Sequence, residues 1–212
     1  MLALRYRSVN TTSSQKRKYE LKARARSQRE TRERIAAAAA ELHQEVGVGK
    51  TTVADIARRA GVQRLTVYNH FPGLEELLPA CSAHYLGQHP RPDLAAVFEL
   101  EDPKERVRAA LARLYGWYRE TEPMSARVQG ERDSVPELEA WMSKTVDVQV
   151  GELATGLAAG FGLRGRRADR LRALVRVALD FWTWRCLAHE GLDDPAAADL
   201  MADSLSAVTK ES

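Results

Sequence analysis

The 212-residue sequence predicts an all-α fold in two parts, with the boundary near Gly87. Apolar residues recur every three or four positions along most of the chain, no segment alternates convincingly like a strand, and two prolines interrupt residues 87–92. The composition, 44% hydrophobic and 29% charged with 13 Gly and 8 Pro, is that of a globular protein. A chain of this size can bury a core without disulfide bonds.

The sequence lacks the features of several other protein classes. No run approaches the roughly 20 apolar residues that cross a bilayer, and residues 1–34 contain no apolar signal core. Cys81 and Cys186 lie far apart and have no metal-ligand spacing, so neither a disulfide framework nor a zinc site is indicated. We therefore expect a cytoplasmic protein with no membrane partner, no metal and no cofactor.

Positive charge is concentrated at the amino-terminal end. Residues 1–71 hold 15 Lys and Arg against 6 Asp and Glu, a net charge of +9, whereas residues 72–212 carry a net charge of −6. This asymmetry predicts that one end of the protein contacts a polyanion. Within it, residues 1–26 are rich in basic and small polar residues without an apolar period, and we interpret them as a mobile basic arm.

The first helix is predicted to begin near Gln28. Ser27 and Glu30 have capping-box spacing, at which each side chain can accept a hydrogen bond from the other residue's backbone N–H. Gly47 can take the left-handed conformation that ends a helix. The apolar positions between them recur at helical spacing and are Ile35, Ala39, Leu42 and Val46.

Two short helices are predicted next, on either side of Gly61. Ala57 is small enough to let them cross closely, Gly61 supplies the unusual backbone angle of the turn, and Val67 fills the joint. This spacing is typical of a helix-turn-helix. An ordinary αα-hairpin is the alternative, but the basic segment and the polar second helix favour the DNA-binding motif.

The second of these helices carries side chains that suit DNA contacts. Gln63 and Arg64 stand at its start, the end that such motifs place in the major groove, and could pair with adenine and guanine respectively. Hydroxyl and ring N–H groups nearby suit phosphate oxygens, although Tyr68 could instead pack against the first helix. The candidate DNA-binding residues are Thr51, Thr52, Gln63, Arg64, Leu65, Thr66, Tyr68, Asn69 and His70.

The rest of the chain is also predicted to be helical. Leu74 to Tyr85 should form a helix that Pro79 bends or shortens, and residues 87–92 should form a linker. Apolar periods and helix breakers then predict a helix that Pro123 stops, one from Val146 to Phe161, a long one from about Ala168 to Glu190, and a last one capped by Asp194 and ending near Val208.

The run from Thr51 to Phe71 resembles the signature of the tetracycline-repressor (TetR) family of bacterial transcription regulators. Its Asp-Ile-Ala, Ala-Gly-Val, Thr-x-Tyr and His-Phe elements stand in the family's order, and the similarity covers about residues 28–80. The resemblance implies a homodimer with paired recognition helices on a palindromic operator, released by a small-molecule effector. It also implies a three-helix DNA-binding head with a helix-turn-helix, at 27–86 after the basic arm 1–26, and a helical ligand-binding and dimerisation domain at 87–212.

Three positions depart from the family pattern. Leu74 stands where members often carry a phosphate-binding Lys, Pro79 is unusual within the fourth helix, and Gln63 replaces the commoner Ser. The first two concern the helix that usually connects the ligand domain to the head, and the third concerns the base sequence that the protein selects.

Aromatic residues concentrate in the second part of the chain, as an apolar ligand cavity would require, although core packing explains each of them equally well. Two arginines there could orient a polar group of a ligand. The candidate pocket residues are Trp117, Tyr118, Arg127, Trp141, Phe181 and Arg185.

The predicted long helix carries two apolar stripes, of which only one can pack inward. The other stripe, with the last helix and its small residues, predicts a four-helix interface between two subunits. The candidate interface residues are Val177, Phe181, Trp184, Ala197, Leu200, Met201 and Leu205.

Enzyme motifs are missing from the sequence. Gly47 to Thr52 resembles the end of a phosphate-binding loop, but Gln44 occupies the first glycine position and no strand precedes it. The five histidines show no metal spacing. The leading hypothesis is a non-enzymatic repressor of transcription that binds double-stranded DNA. A ligand-independent or activating regulator with the same head is the first alternative, and an all-α enzyme or interaction module is the second.

Overall fold

The computed structural model describes residues 9–210. Within that range the chain forms ten α-helices, two short 3-10 helices at Ala95–Glu99 and Arg132–Ser134, and no strand, which confirms the all-α prediction. The α-helices are α1 (Val9–Val46), α2 (Val53–Ala60), α3 (Arg64–His70), α4 (Leu74–Gln88), α5 (Pro103–Gly130), α6 (Pro136–Lys144), α7 (Val146–Ala159), α8 (Gly165–Ala178), α9 (Phe181–His189) and α10 (Asp194–Lys210).

Helix α1 is much longer than predicted. It begins at Val9, so the expected start near Gln28 is wrong, and Ser27 and Glu30 lie inside the helix instead of capping it. Arg, Lys, Glu, Gln and Ala favour helix without needing an apolar stripe, and Arg26 pairs with Glu30 one turn later at 2.8 Å. The described part of the predicted arm is therefore helical, with exposed side chains over residues 18–26, and residues 1–8 lie outside the described residues.

One hydrophobic core holds the first four helices together. Ile35, Ile56, Val67 and Leu78, one from each helix, are almost completely buried. Leu138 and Met142 of α6, with Val135 just before it, complete this core from beyond the predicted linker. The amino-terminal helices therefore pack directly against the second part of the chain.

Helix α5 runs through Pro123, so the predicted stop there is wrong. A proline removes one backbone hydrogen bond from a helix and bends it, but packing on both sides can maintain the helix. Here Thr121 and Met124 flank the proline and are both buried. The Thr121 hydroxyl also donates to the Trp117 carbonyl at 2.8 Å.

The predicted helix from Ala168 to Glu190 is two helices, broken at Leu179 and Asp180. The Asp180 carboxylate caps α9 by accepting from the backbone N–H groups of Trp182 at 2.8 Å and Thr183 at 3.3 Å. Two buried hydroxyls on α5 donate hydrogen bonds to backbone carbonyls at the end of α8. The Tyr115 hydroxyl donates to Ala178 at 2.7 Å, and the Tyr118 hydroxyl donates to Leu179 at 2.8 Å.

Helix α10 packs along α5 and α8 in a second core, which also contains Tyr115, Phe181 and Trp184. Its cap is Asp193, whose carboxylate accepts from the Ala196 N–H at 2.9 Å, and not Asp194 as predicted. Asp194 instead accepts from the Trp184 indole at 2.9 Å and pairs with Arg119. Among the helices described, none combines the length and apolar character needed to cross a bilayer.

Candidate nucleic-acid interface and ligand cavity

The turn between α2 and α3 has the geometry that the sequence predicts. Gly61 has φ +66°, and the Val62 N–H donates to the Ala57 carbonyl at 2.9 Å. Ala57 and Val67 are buried where the two helices meet. Because a left-handed residue at the turn is costly for any side chain, glycine fits this position best.

Helix α3 presents an exposed polar surface. The side chains of Gln63, Arg64 and Asn69 are exposed, and within the described chain no hydrogen bond or ion pair holds them. Leu65 is 66% exposed and Tyr68 is 51% exposed, so the Tyr68 ring is not buried against α1. Thr66 and His70 are partly buried. The donors and acceptors at the start of α3 are therefore free to meet a partner.

Two of the candidate phosphate contacts have internal partners. The Thr51 hydroxyl donates to the Gly47 carbonyl at 2.6 Å. The Thr52 hydroxyl donates to the Asp55 carboxylate at 2.5 Å and accepts from the Asp55 N–H, which caps α2. These bonds, with one from Arg58, hold the pKa of Asp55 below its usual range. Both hydroxyl protons are used in hydrogen bonds within the chain in this structure. The role of Thr51 and Thr52 in DNA binding therefore stays a prediction.

The carboxyl end of α3 is joined to α1. The Arg32 guanidinium donates to the His70 carbonyl at 2.6 Å and lies 3.9 Å from the centre of the Phe71 ring. Helix α2 is joined to α1 by Arg59, which pairs with Glu41 at 3.0 Å and Glu45 at 2.8 Å. These contacts orient the exposed face of α3 relative to the long first helix.

A cavity of about 240 Å³ lies between the first four helices and the second part of the chain. Residues from α1, α4, α5, α6, α7 and α9, and from the segment between α4 and α5, line it. Four of the predicted pocket residues are among them, namely Trp117, Tyr118, Trp141 and Phe181. Arg127 and Arg185 are not part of the lining. The Arg185 guanidinium pairs with the Glu122 carboxylate at 3.1 Å instead.

The polar residues of the cavity were missed from the sequence, because they belong to no motif and lie far apart along the chain. They include Arg91 and Gln149, which are hydrogen-bonded to each other, and the buried pair His43 and Cys81. The His43 Nδ1 lies 3.6 Å from the Cys81 Sγ. Burial lowers the pKa of His43 to about 4 and raises the pKa of the Cys81 thiol to about 12, so both groups are neutral at pH 7.

The carboxylate of Glu131 connects the two parts of the molecule. It accepts hydrogen bonds from the backbone N–H of Val48 at 2.6 Å and of Gly49 at 3.1 Å. Glu131 follows the end of α5, whereas Val48 and Gly49 follow α1. The segment that resembles a phosphate-binding loop therefore uses these N–H groups to hold a carboxylate of its own chain.

The structure divides the predicted subunit-interface residues into two groups. Phe181, Trp184, Ala197 and Leu205 are buried in the core of the subunit itself. Phe181 and Trp184 face inward because the break before α9 turns its apolar stripe onto α5, and Ala197 and Leu205 belong to α10, which packs against α5 and α8. Val177, at 52%, and Leu200, at 46%, are exposed on α8 and α10, and Met201 is half-buried. The prediction missed two further exposed apolar residues, Leu174 and Trp182.

The amino-terminal helices are similar in sequence to known proteins. Residues 35–81 match the description "Bacterial regulatory proteins, tetR family". The chain is 49% identical over 61 residues to the HTH-type transcriptional regulator SrpR of Pseudomonas putida, a match that covers 29% of this chain and 28% of SrpR. It is 48% identical over 62 residues to the HTH-type transcriptional regulator TtgW, also of Pseudomonas putida, covering 29% and 45% of the two chains. The matches thus span less than half of each relative.

Solved structures resemble the whole fold. A HlyIIR mutant protein matches with a TM-score of 0.58 at 17% identity, covering 87% of this chain and all of that one. NalD, the secondary repressor of the MexAB-OprM multidrug efflux pump in Pseudomonas aeruginosa, matches with a TM-score of 0.54 at 24% identity, covering 86% and 96%. At these identities the likeness concerns the fold alone. The helix-turn-helix and the helices around it, residues 35–81, are therefore similar to the tetR family of bacterial regulatory proteins.

Proposed function

We propose that this protein is a sequence-specific, DNA-binding transcription regulator of the cytoplasm. It acts as a homodimer on a palindromic operator and is released from it by a small-molecule effector. The observation that carries the proposal is the start of α3, where the side chains of Gln63 and Arg64 are exposed and have no partner within the described chain. Unpaired donors and acceptors in this position of a helix-turn-helix suit base edges in a major groove.

The residues of α3 have separate roles in this proposal. Arg64 pairs with guanine and Gln63 with adenine, since these side chains match the bases in bidentate geometry. Tyr68 and Asn69 contact phosphates, and Leu65 packs against a thymine methyl group or sugar. The basic residues of α1 add a contribution that does not depend on base sequence, including Lys22, Arg24 and Arg29 on its exposed part.

Dimerisation is part of the proposal because one head contacts too few bases to select a site. Two heads about 34 to 36 Å apart meet successive turns of the duplex. The exposed apolar residues on α8, α9 and α10 supply a surface for such an interface. They are Leu174, Val177, Trp182 and Leu200. A two-fold interface of this kind would place α8 and α10 of one subunit against the same helices of the other.

Release by an effector is supported by the position of the cavity. Its lining includes Ala40 and His43 of α1, Leu78 of α4, and Trp117 of α5, so a bound molecule touches the head and the second part together. A ligand that fits better when the head is turned away from the DNA shifts the population toward that arrangement. The cavity also counts against a regulator without a ligand, for which a closed core is expected. NalD, of similar fold, is a repressor.

The proposal is tested by selecting bound sequences from a random DNA pool with the purified full chain. We expect enrichment of a palindrome whose half-sites lie about one helical turn apart. A variant with Gln63→Ala and Arg64→Ala should lose this enrichment, whereas Arg170→Ala, an exposed change on α8, should keep it. Absence of any enriched sequence with the unmodified protein would overturn the proposal.

A further inference from the structure

Arg91 lies at the rim of the cavity, in the segment between α4 and α5. Its guanidinium donates to the Gln149 side-chain carbonyl on α7, and no other hydrogen bond holds it within the described chain. A guanidinium carries five N–H donors in a planar fork, so most of its donor capacity is unused. Arg91 is exposed to solvent and is also one of the residues that line the cavity.

No carboxylate pairs with Arg91 within the described chain. Asp93 accepts from the Ala95 N–H at 2.9 Å, Glu120 on α5 pairs with His89 at 2.9 Å, and Asp147 on α7 pairs with Arg132 at 2.6 Å. Glu152, also on α7, is exposed and forms no ion pair with any described residue. Burial lowers the pKa of the Arg91 guanidinium, and no carboxylate acts to raise it. Arg91 is therefore a cation at an apolar cavity without a counter-ion among the described residues.

The cavity is lined mainly by apolar groups, and some of its polar groups are bonded within the protein. The side chains of Ser82, Tyr85, Gln129 and Trp141 have no hydrogen bond within the described chain. The Trp117 indole donates to the His89 carbonyl at 3.1 Å, and the Tyr118 hydroxyl donates to the Leu179 carbonyl. The Ser125 hydroxyl is bonded to that of Thr121 at 3.1 Å. A molecule inside this cavity finds mainly ring faces and aliphatic groups, and it finds an unpaired positive charge only at the Arg91 end.

We propose that the cavity binds an amphipathic monoanion, whose carboxylate pairs with the Arg91 guanidinium at the rim while its apolar body fills the interior. This inference rests on the proposed function, because it names the chemical class of the effector. A guanidinium and a carboxylate match each other in bidentate geometry, which a neutral group cannot reproduce. The volume of about 240 Å³ suits a body on the order of ten non-hydrogen atoms, since a cavity of about 150 Å³ holds benzene.

The role of Gln149 follows from the same geometry. Its side-chain carbonyl accepts from one Nη atom of Arg91 and so orients the fork, while the guanidinium keeps its other donors for the ligand. Gln149 is neutral, so it orients the cation without cancelling its charge. We therefore assign Gln149 as a positioning residue and Arg91 as the anion-binding residue.

The test uses 4-phenylbutyrate and its neutral amide, 4-phenylbutanamide, at pH 7 with the full chain. Trp117 and Trp141 line the cavity, so intrinsic fluorescence reports binding directly. We expect the carboxylate to bind at least about tenfold more tightly than the amide. Arg91→Gln should remove this preference and leave amide binding unchanged, which also shows that the cavity is intact. Arg91→Lys should restore part of the preference, and the control Arg170→Gln should retain all of it.

Equal affinity of the unmodified protein for the two probes would overturn the inference, as would a preference that survives in Arg91→Gln. Absence of carboxylate binding at millimolar concentration would overturn it as well. Binding of the selected operator DNA is measured in parallel without either probe. If the unmodified protein shows no preference for the carboxylate but binds the operator normally, only this inference is contradicted. If the unmodified protein binds no DNA sequence, the proposed function is contradicted.

Discussion

Glu131 and Val48 are joined by a hydrogen bond of 2.6 Å, in which the backbone N–H of Val48 donates to the carboxylate. A second bond, from the Gly49 N–H at 3.1 Å, uses the same oxygen. Glu131 follows directly after α5, the helix that contributes Trp117 and Tyr118 to the cavity wall. The residues it holds lead directly into α2 of the helix-turn-helix. We therefore expect a shift of α5 to be transmitted to the helix-turn-helix through this contact.

Replacing Glu131 by Ala should destabilise the protein by about 1 to 3 kcal/mol, because two backbone N–H groups lose a charged acceptor. Equilibrium unfolding in urea measures the change. The matched control is Glu152→Ala, since Glu152 is exposed on α7 and has no partner within the described chain. Equal free energies of unfolding for the two variants would show that the Glu131 contact adds nothing to stability.

Replacing Gly47 by Ala tests the same contact from the other side. Gly47 has φ +95°, and a Cβ there would lie 2.0 Å from the Glu131 Oε1, so the carboxylate must move away. Gly162 has φ +67° with no atom within 4 Å, and Gly162→Ala therefore measures backbone strain alone, about 1 to 2 kcal/mol. We expect Gly47→Ala to cost about 1 to 3 kcal/mol more than this control.

A double variant separates strain from the lost contact. Combining Gly47→Ala with Glu131→Ala should cost clearly less than the sum of the two single changes, because both remove the same hydrogen bonds. Strict additivity in urea unfolding would mean that the two residues do not act through one contact.

Stability should fall on acidification through His43. Burial lowers the pKa of His43 to about 4 in the folded protein, below its usual 6.5. Between these two pH values His43 is protonated in the unfolded chain but neutral in the folded chain. The free energy of unfolding therefore falls as the pH drops from about 6.5 to about 4. The loss through this one group is up to about 3 kcal/mol.

The measurement is the free energy of urea unfolding at pH 7 and pH 4. His43→Gln should reduce the difference between the two pH values, whatever its effect on absolute stability. His189→Gln, at an exposed position on α9, should leave the difference as in the unmodified protein. An identical difference in His43→Gln would contradict the assignment.

Arg64→Ala should weaken binding to the selected operator by about 1 to 3 kcal/mol and relax the preference at one base position. Fluorescence anisotropy with the operator and with a scrambled duplex measures both effects. Arg170→Ala provides the control for loss of a positive charge remote from α3. An equal loss on the operator and on scrambled DNA would assign Arg64 to phosphate contact instead of base recognition.

Val177→Asp and Leu200→Asp should each shift the protein from dimer to monomer, because a buried carboxylate at an interface has no partner and is costly to desolvate. Light scattering during size-exclusion chromatography measures the mass. Val148→Asp introduces the same charge at another exposed apolar position, on α7, and should leave the dimer intact. A dimer that persists in both test variants would place the interface elsewhere.

The sequence predicted local structure well where a residue type strongly favours one backbone conformation. Gly61 marked the turn of the helix-turn-helix, because few other residues adopt its backbone angle. The apolar period around Ile35 and Val67 identified the core of the first helices. The same pattern left Gln63 and Arg64 on the outer face of α3, where the structure has them exposed.

The predicted helix boundaries were wrong where contacts between distant segments of the chain determine where a helix ends. The break between α8 and α9 depends on the Tyr115 and Tyr118 hydroxyls, which come from α5 and accommodate the carbonyls that the break frees. Helix α5 continues through Pro123 because buried neighbours on both sides hold it. Neither effect can be seen from the local pattern, because a proline or an aspartate has the same propensity wherever the chain later packs.

The amino-acid order alone was enough to establish that the chain is helical, that its positive charge lies at one end and that a helix-turn-helix occupies residues 52–70, since these follow from period, charge and local backbone preference. Packing in three dimensions was needed to show which aromatic residues line the cavity, that Phe181 and Trp184 face the subunit core, and that Glu131 holds the backbone at Val48. These contacts join residues far apart in the chain, and their energies depend on distances that no local pattern encodes.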